Sequence, residues 1–138
     1  MTVLDHPLLR TARVGHLALL APDGSPRALP VCFAFAGGLL YTPIDEKPKR
    51  GGELARLRYL RRDPRVSLVV DRYEEDWTKL AWVRVDGVAE VVERGDLRPE
   101  ALAALRAKYP QYRGMRLEAL PLIAITPLRV SSWEAAPR

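Results

Sequence analysis

A chain of 138 residues with 48% apolar side chains has room for one domain with a real core, and it is too apolar to be a disordered tail. Its single cysteine, Cys32, excludes an intrachain disulfide. Neither Cys32 nor the two histidines, His6 and His16, stand at zinc-ligand spacing, so no metal site is expected. The formal net charge of +5 is concentrated in one stretch: Lys47 to Arg65 holds eight cations against Glu53 and Asp63, a local +6, while the rest of the chain sums to −1. Such an excess points to a specific anionic ligand or a nucleic-acid footprint.

The elements follow in chain order. Residues 13–21 form a mostly apolar run that suits a buried strand. Pro22-Asp23-Gly24-Ser25 is turn chemistry, and residues 26–35 make a second strand paired to the first as a hairpin. Pro30 inside that strand lacks a ladder donor, which implies a sheet edge or a bulge. Gly37-Gly38 turns the chain into a third strand at 39–43, completing a meander. A polar loop follows to Arg50. From Gly52 to Arg62 the threefold spacing of Leu54, Leu57 and Leu60 predicts a helix, stopped by Asp63-Pro64.

Arg65 to Val70 reads as a fourth strand, and residues 79–93 alternate as a long fifth one with a bulge or bend at Asp86-Gly87. Pro99 opens a second helix running to Tyr109, and the last strand lies within Pro121 to Trp133. Two early hairpins argue against a doubly wound parallel sheet. The order predicts one mainly β domain over 1–138: a six-stranded antiparallel barrel with two helices on its rim.

The basic stretch carries the clearest chemistry. Lys47, Lys49 and Arg50 precede a helix N-terminus opened by Gly51-Gly52. Free N–H groups at a helix start attract anions, glycines admit close approach, and Arg grips a phosphate bidentately. This predicts a phosphate cradle. Arg56, Arg58, Arg61 and Arg62 read as a solvated helix face. Trp77 lies in a polar loop and is a candidate for contact with a flat ring. Cys32 alternates with apolar neighbours as a structural thiol, and no catalytic residue can be assigned.

Several strings, in order, resemble the pyridoxamine 5′-phosphate oxidase-like superfamily. They are Val14-Gly15-His16-Leu17-Ala18, Asp23-Gly24-Ser25-Pro26-Arg27, Leu29-Pro30-Val31-Cys32-Phe33, Leu40-Tyr41-Thr42-Pro43 and Arg62-Asp63-Pro64-Arg65-Val66. Tyr73-Glu74-Glu75-Asp76-Trp77 and Trp82-Val83-Arg84-Val85-Asp86-Gly87 are similar to its branch of F420-dependent and FMN-binding proteins. The resemblance covers roughly residues 6–133. It implies a split β-barrel, a homodimer with cofactor sites at the subunit interface, and F420 or FMN as cofactor. It places the cofactor phosphate at Lys47, Lys49 and Arg50, and the ring along Leu29, Pro30, Val31 and Tyr41, Thr42, Pro43. The Arg- and His-rich C-terminal extension of pyridoxamine phosphate oxidase has no counterpart in Ser132 to Arg138, so that reaction is not expected.

The function expected is that of an oxidoreductase transferring hydride between this cofactor and a small-molecule substrate. The alternatives are a non-catalytic flavin or F420 binder, and a nucleic-acid-binding small barrel, against which stands the lack of interleaved aromatics on the basic helix. With no basic, apolar leader and no apolar run of about 20 residues, the expectation is a cytoplasmic protein without a membrane span.

Overall fold

The computed structural model describes residues 5–44, 54–93 and 98–136. Among them are seven strands and three α-helices: α1 (Pro7–Thr11), β1 (Gly15–Leu20), β2 (Pro26–Val31), β3 (Ala34–Ala36), β4 (Leu39–Pro43), α2 (Ala55–Arg62), β5 (Arg65–Arg72), β6 (Ala81–Val92), α3 (Pro99–Lys108) and β7 (Leu122–Glu134). All strand pairs are antiparallel, in the order β2-β1-β5-β6-β7-β4-β3.

That order requires curvature. β2 and β3 occupy opposite ends of the sheet, yet only Cys32 and Phe33 join them. Three chain steps from Val31 to Ala34 span at most about 11 Å. The sheet must therefore curl until its two ends meet, without a ladder between them. The result is a barrel that is split along the β2–β3 seam.

The expected count of six strands is corrected to seven, because the second strand breaks at Cys32-Phe33. Its first part pairs with β1 and its second with β4, so the expected meander is two separate hairpins. The break is held by Tyr109. Its hydroxyl accepts a hydrogen bond from the Phe33 N–H at 3.0 Å and lies 3.0 Å from the Arg13 carbonyl and 3.1 Å from the Phe33 carbonyl. A side chain 76 residues away thus satisfies the backbone that leaves the ladder.

The expected pair of rim helices becomes three. The short α1 was not foreseen; Pro7 stands in its first turn, and His6 Nδ1 caps it by accepting from the Leu8 N–H at 3.1 Å. α2 begins at Ala55, three residues after the expected start, and buries Leu57 and Leu60.

Two core layers share the strands by period-two alternation. Leu40, Ile123 and Ile125 point into the barrel interior with Leu17, Leu68, Val83 and Val85. Tyr41, Leu122 and Ala124 point outward, where α3 covers them with Ala101, Leu102 and Leu105. The β6–β7 ladder shifts register between Asp86 and Gly87, the bulge expected from the sequence. Pro30 lies in β2, an edge strand, as its missing donor demanded.

Candidate functional site

β2 carries almost no core. Pro26, Arg27, Ala28 and Pro30 are exposed, and Leu29 and Val31 are half-buried. Among the described residues its outer edge has no strand partner, and Pro26, Arg27 and Pro30 guard it against pairing with another strand. Beside it runs an open groove of about 250 Å³ lined by Val14, Pro30, Val31, Cys32, Thr42, Pro43 and Arg56.

Four of the residues assigned to ring binding, Pro30, Val31, Thr42 and Pro43, meet around this groove from two separate strands. Leu29 packs instead against the interior core. Tyr41 is buried in the outer layer, where its hydroxyl accepts from Arg98 Nη1 at 2.9 Å. Trp77 is 66% exposed and lines a different cavity, of about 570 Å³, with Leu80 and Trp133. Lys47, Lys49 and Arg50 lie outside the described residues.

Arg56 is the residue that sequence reasoning missed. It was read as part of a solvated face, but it stands in the first turn of α2 and lines the groove. The missed signal was helical phase. Arg56 precedes Leu57 and is half-buried, whereas Arg58 and Arg62 are exposed. Among the described residues no side chain caps the α2 N-terminus, and the positive end of its dipole lies at this start.

The groove suits a flat, polar-edged ring with an anionic appendage. Its walls are proline, valine and one threonine, its edge is open backbone, and its charged side chain is a guanidinium. The volume is below the roughly 300–1,000 Å³ of pockets that enclose a whole ligand of drug size. It accommodates a ring, with the rest of a phosphorylated cofactor held elsewhere. Among the described residues the lining has no carboxylate and no histidine. Among the described residues no three His, Cys, Asp or Glu side chains gather to hold a metal. Among the same residues no helix is long and apolar enough to cross a membrane.

Behind the groove, Tyr109 is held neutral well into the alkaline range, first by burial. Tyr109→Phe strips the Phe33 N–H of its partner in a buried setting. A loss of about 2 kcal/mol is expected from the urea midpoint, because an unsatisfied buried donor costs roughly 1–3 kcal/mol. A midpoint equal to wild type would mean that the β2–β3 break holds itself.

A family model described as pyridoxamine 5′-phosphate oxidase matches residues 6–134. The chain belongs to this family. The split barrel and the resemblance read from the sequence strings agree with it. No curated protein matches the chain at a significant level.

Solved structures extend the picture. A conserved hypothetical protein, Rv2991 from Mycobacterium tuberculosis, is 27% identical, with a TM-score of 0.72 over 93% of this chain and 81% of its own. An FAD-binding protein from Mesorhizobium loti is 28% identical, with a TM-score of 0.66 over 96% and 94%. An F420 reductase is 23% identical, with a TM-score of 0.61 over 90% and 93%, and shares the fold. Family membership and the fold shared with these neighbours agree.

Proposed function

We propose that this member of the pyridoxamine 5′-phosphate oxidase family binds FMN or F420 along the β2–β4 groove and passes hydride between it and a small organic substrate. The observation that carries this reading is the meeting of Pro30, Val31, Thr42 and Pro43 with Arg56 in the first turn of α2. When bound, the cofactor supplies the hydride chemistry. The chain's own residues bind and orient. The open edge of β2 offers backbone groups to the ring edge, Arg56 faces its anionic side, and Pro30 and Pro43 wall the groove. Lys47, Lys49 and Arg50 serve as the phosphate cradle in this reading.

Titration of the purified chain with FMN, F420 and, as a planar control, haem tests it, with absorbance and fluorescence as readouts. One of the first two binds at one per chain, and Arg56→Ala weakens it roughly 10- to 100-fold while Arg62→Ala does not. Equal affinity in both variants would remove Arg56 from the site. A non-catalytic binder is the second reading, favoured by the lack of a carboxylate or histidine among the described groove residues. Turnover of reduced cofactor in the presence of electron-poor substrates separates the two.

The proposed assembly is a twofold homodimer. Trp77 and Trp133 are 66% and 46% exposed, with Tyr73 and Leu128 also open. Exposed large apolar groups at this density are costly in a monomer. A groove too small for a whole phosphorylated cofactor is also completed most simply by a second copy. Sedimentation at micromolar concentration is expected to give twice the 15.5 kDa chain mass. A single-chain mass would rule the dimer out.

A further inference from the structure

A second cavity lies across the Phe33–Tyr109 wall from the cofactor groove and shares no lining residue with it. It occupies about 570 Å³ between α1, β3 and α3, lined by Leu9, Arg10, Thr11, Arg13, Ala34, Phe35, Ala104, Ala107 and Lys108. Among the described residues, three cations and no acid stand on this lining. We propose that this cavity binds a small amphipathic carboxylate, with its head between Arg13 and Lys108 and its apolar body against Leu9, Phe35 and the α3 alanines.

Lys108 and Arg13 crowd one ring. Lys108 Nζ lies 3.7 Å from the Phe33 ring centre and 5.3 Å from that of Tyr109, and Arg13 Cζ lies 4.7 Å from the Tyr109 centre. Like charges gathered this way repel unless an anion lies between them. The ammonium is pushed down to about 8, first by burial and then by Arg13. Among the described residues, Lys108 Nζ is the one buried side-chain nitrogen or oxygen with no hydrogen-bond partner. Two aromatic faces attract the ammonium, but they supply no acceptor in line with its three N–H bonds. Nζ is closed off beneath the ring faces, so the long Lys108 side chain must swing into the cavity, where a carboxylate supplies acceptors and neutralises both cations.

The form of the cavity narrows the class of ligand. Lys108 ends α3, and the partial negative charge of a helix C-terminus disfavours a multiply charged head. Leu9, Ala34, Phe35, Ala104 and Ala107 give the remaining wall an apolar surface. A monoanion on an apolar body fits both conditions. Free phosphate fits neither.

The test is calorimetric titration of the full chain, without added cofactor, with octanoate, octanamide and inorganic phosphate. Octanoate is expected to bind at one per chain, and octanamide and phosphate to bind at least about tenfold more weakly. Lys108→Met and Arg13→Gln each reduce octanoate affinity by about tenfold or more. Arg13 is exposed, so Arg13→Gln decides the matter if Lys108→Met fails to fold. Octanamide or phosphate binding as well as octanoate would overturn the proposal, as would an Arg13→Gln variant that binds octanoate unchanged. FMN or F420 titrations of Arg13→Gln are expected to match wild type, which separates this site from the cofactor groove.

Discussion

Alanine at both Lys49 and Arg50 is expected to lower affinity for FMN or F420 by about 10²- to 10⁴-fold and leave the fold intact. Hydrogen bonds to charged groups are worth roughly 1.5–3 kcal/mol each, and about 1.4 kcal/mol is a factor of ten in affinity. Two such contacts therefore set the range. Stability is expected to change by no more than about 0.5 kcal/mol, as for surface substitutions that remove little packing.

The matched control is Arg61→Ala with Arg62→Ala, which removes the same charge from the last turn of α2. Arg61 pairs there with Glu93 on the surface, a contact of the kind worth about 0–1 kcal/mol. A diffuse positive field would make both double variants lose affinity equally, and increasingly so at low salt. A specific phosphate cradle makes the Lys49/Arg50 pair lose far more at every salt concentration. Equal losses in a fluorescence titration at matched ionic strength would leave the proposed cradle without support.

Among the described glycines, Gly87→Ala is expected to be the most destabilising methyl addition. A Cβ at this position would stand 2.2 Å from the Thr126 carbonyl oxygen and 3.1 Å from its carbon. Both are backbone atoms of β7, held at the bulge where Gly87 faces Pro127. They cannot rotate away as a side chain would, so the two longest strands must separate. Overpacking of this kind costs about 3 kcal/mol or more. For a chain of this length that corresponds to a melting temperature lower by roughly 10 °C.

Gly114→Ala is the control. Nothing lies within 4 Å of its added methyl, and its backbone is not left-handed. It is expected to stay within about 0.5 kcal/mol of wild type or gain slightly from a stiffer unfolded chain. Similar melting temperatures for the two variants would show that the bulge yields to a methyl group.

The sequence by itself determined the local chemistry. Apolar runs between turn residues specified most of the strands. Leu57 and Leu60 specified the buried face of α2, Pro30 an edge or a bulge, and Asp86-Gly87 a bulge or a bend. Each signal acts over a few residues through φ restriction, a missing donor or side-chain alternation, so it is readable without a partner. The cations before α2 were legible in the same way as anion-binding chemistry, whereas Pro30, Val31, Thr42 and Pro43 were assigned to a ring only through the family resemblance.

Only the tertiary structure decided which of these residues share a surface. The strand over 26–35 carries no local signal to break at Cys32-Phe33. The break exists because Tyr109 arrives from α3 to satisfy Phe33, and because sheet closure requires the chain to cross from one end to the other. The same closure brings β2 beside β4 and places Arg56 at their groove. Alternation then turns Tyr41 into the layer under α3, one residue from Thr42 in the groove lining. Long-range pairing sets these outcomes, and its energy depends on residues distant in the chain. No short window of sequence can contain it.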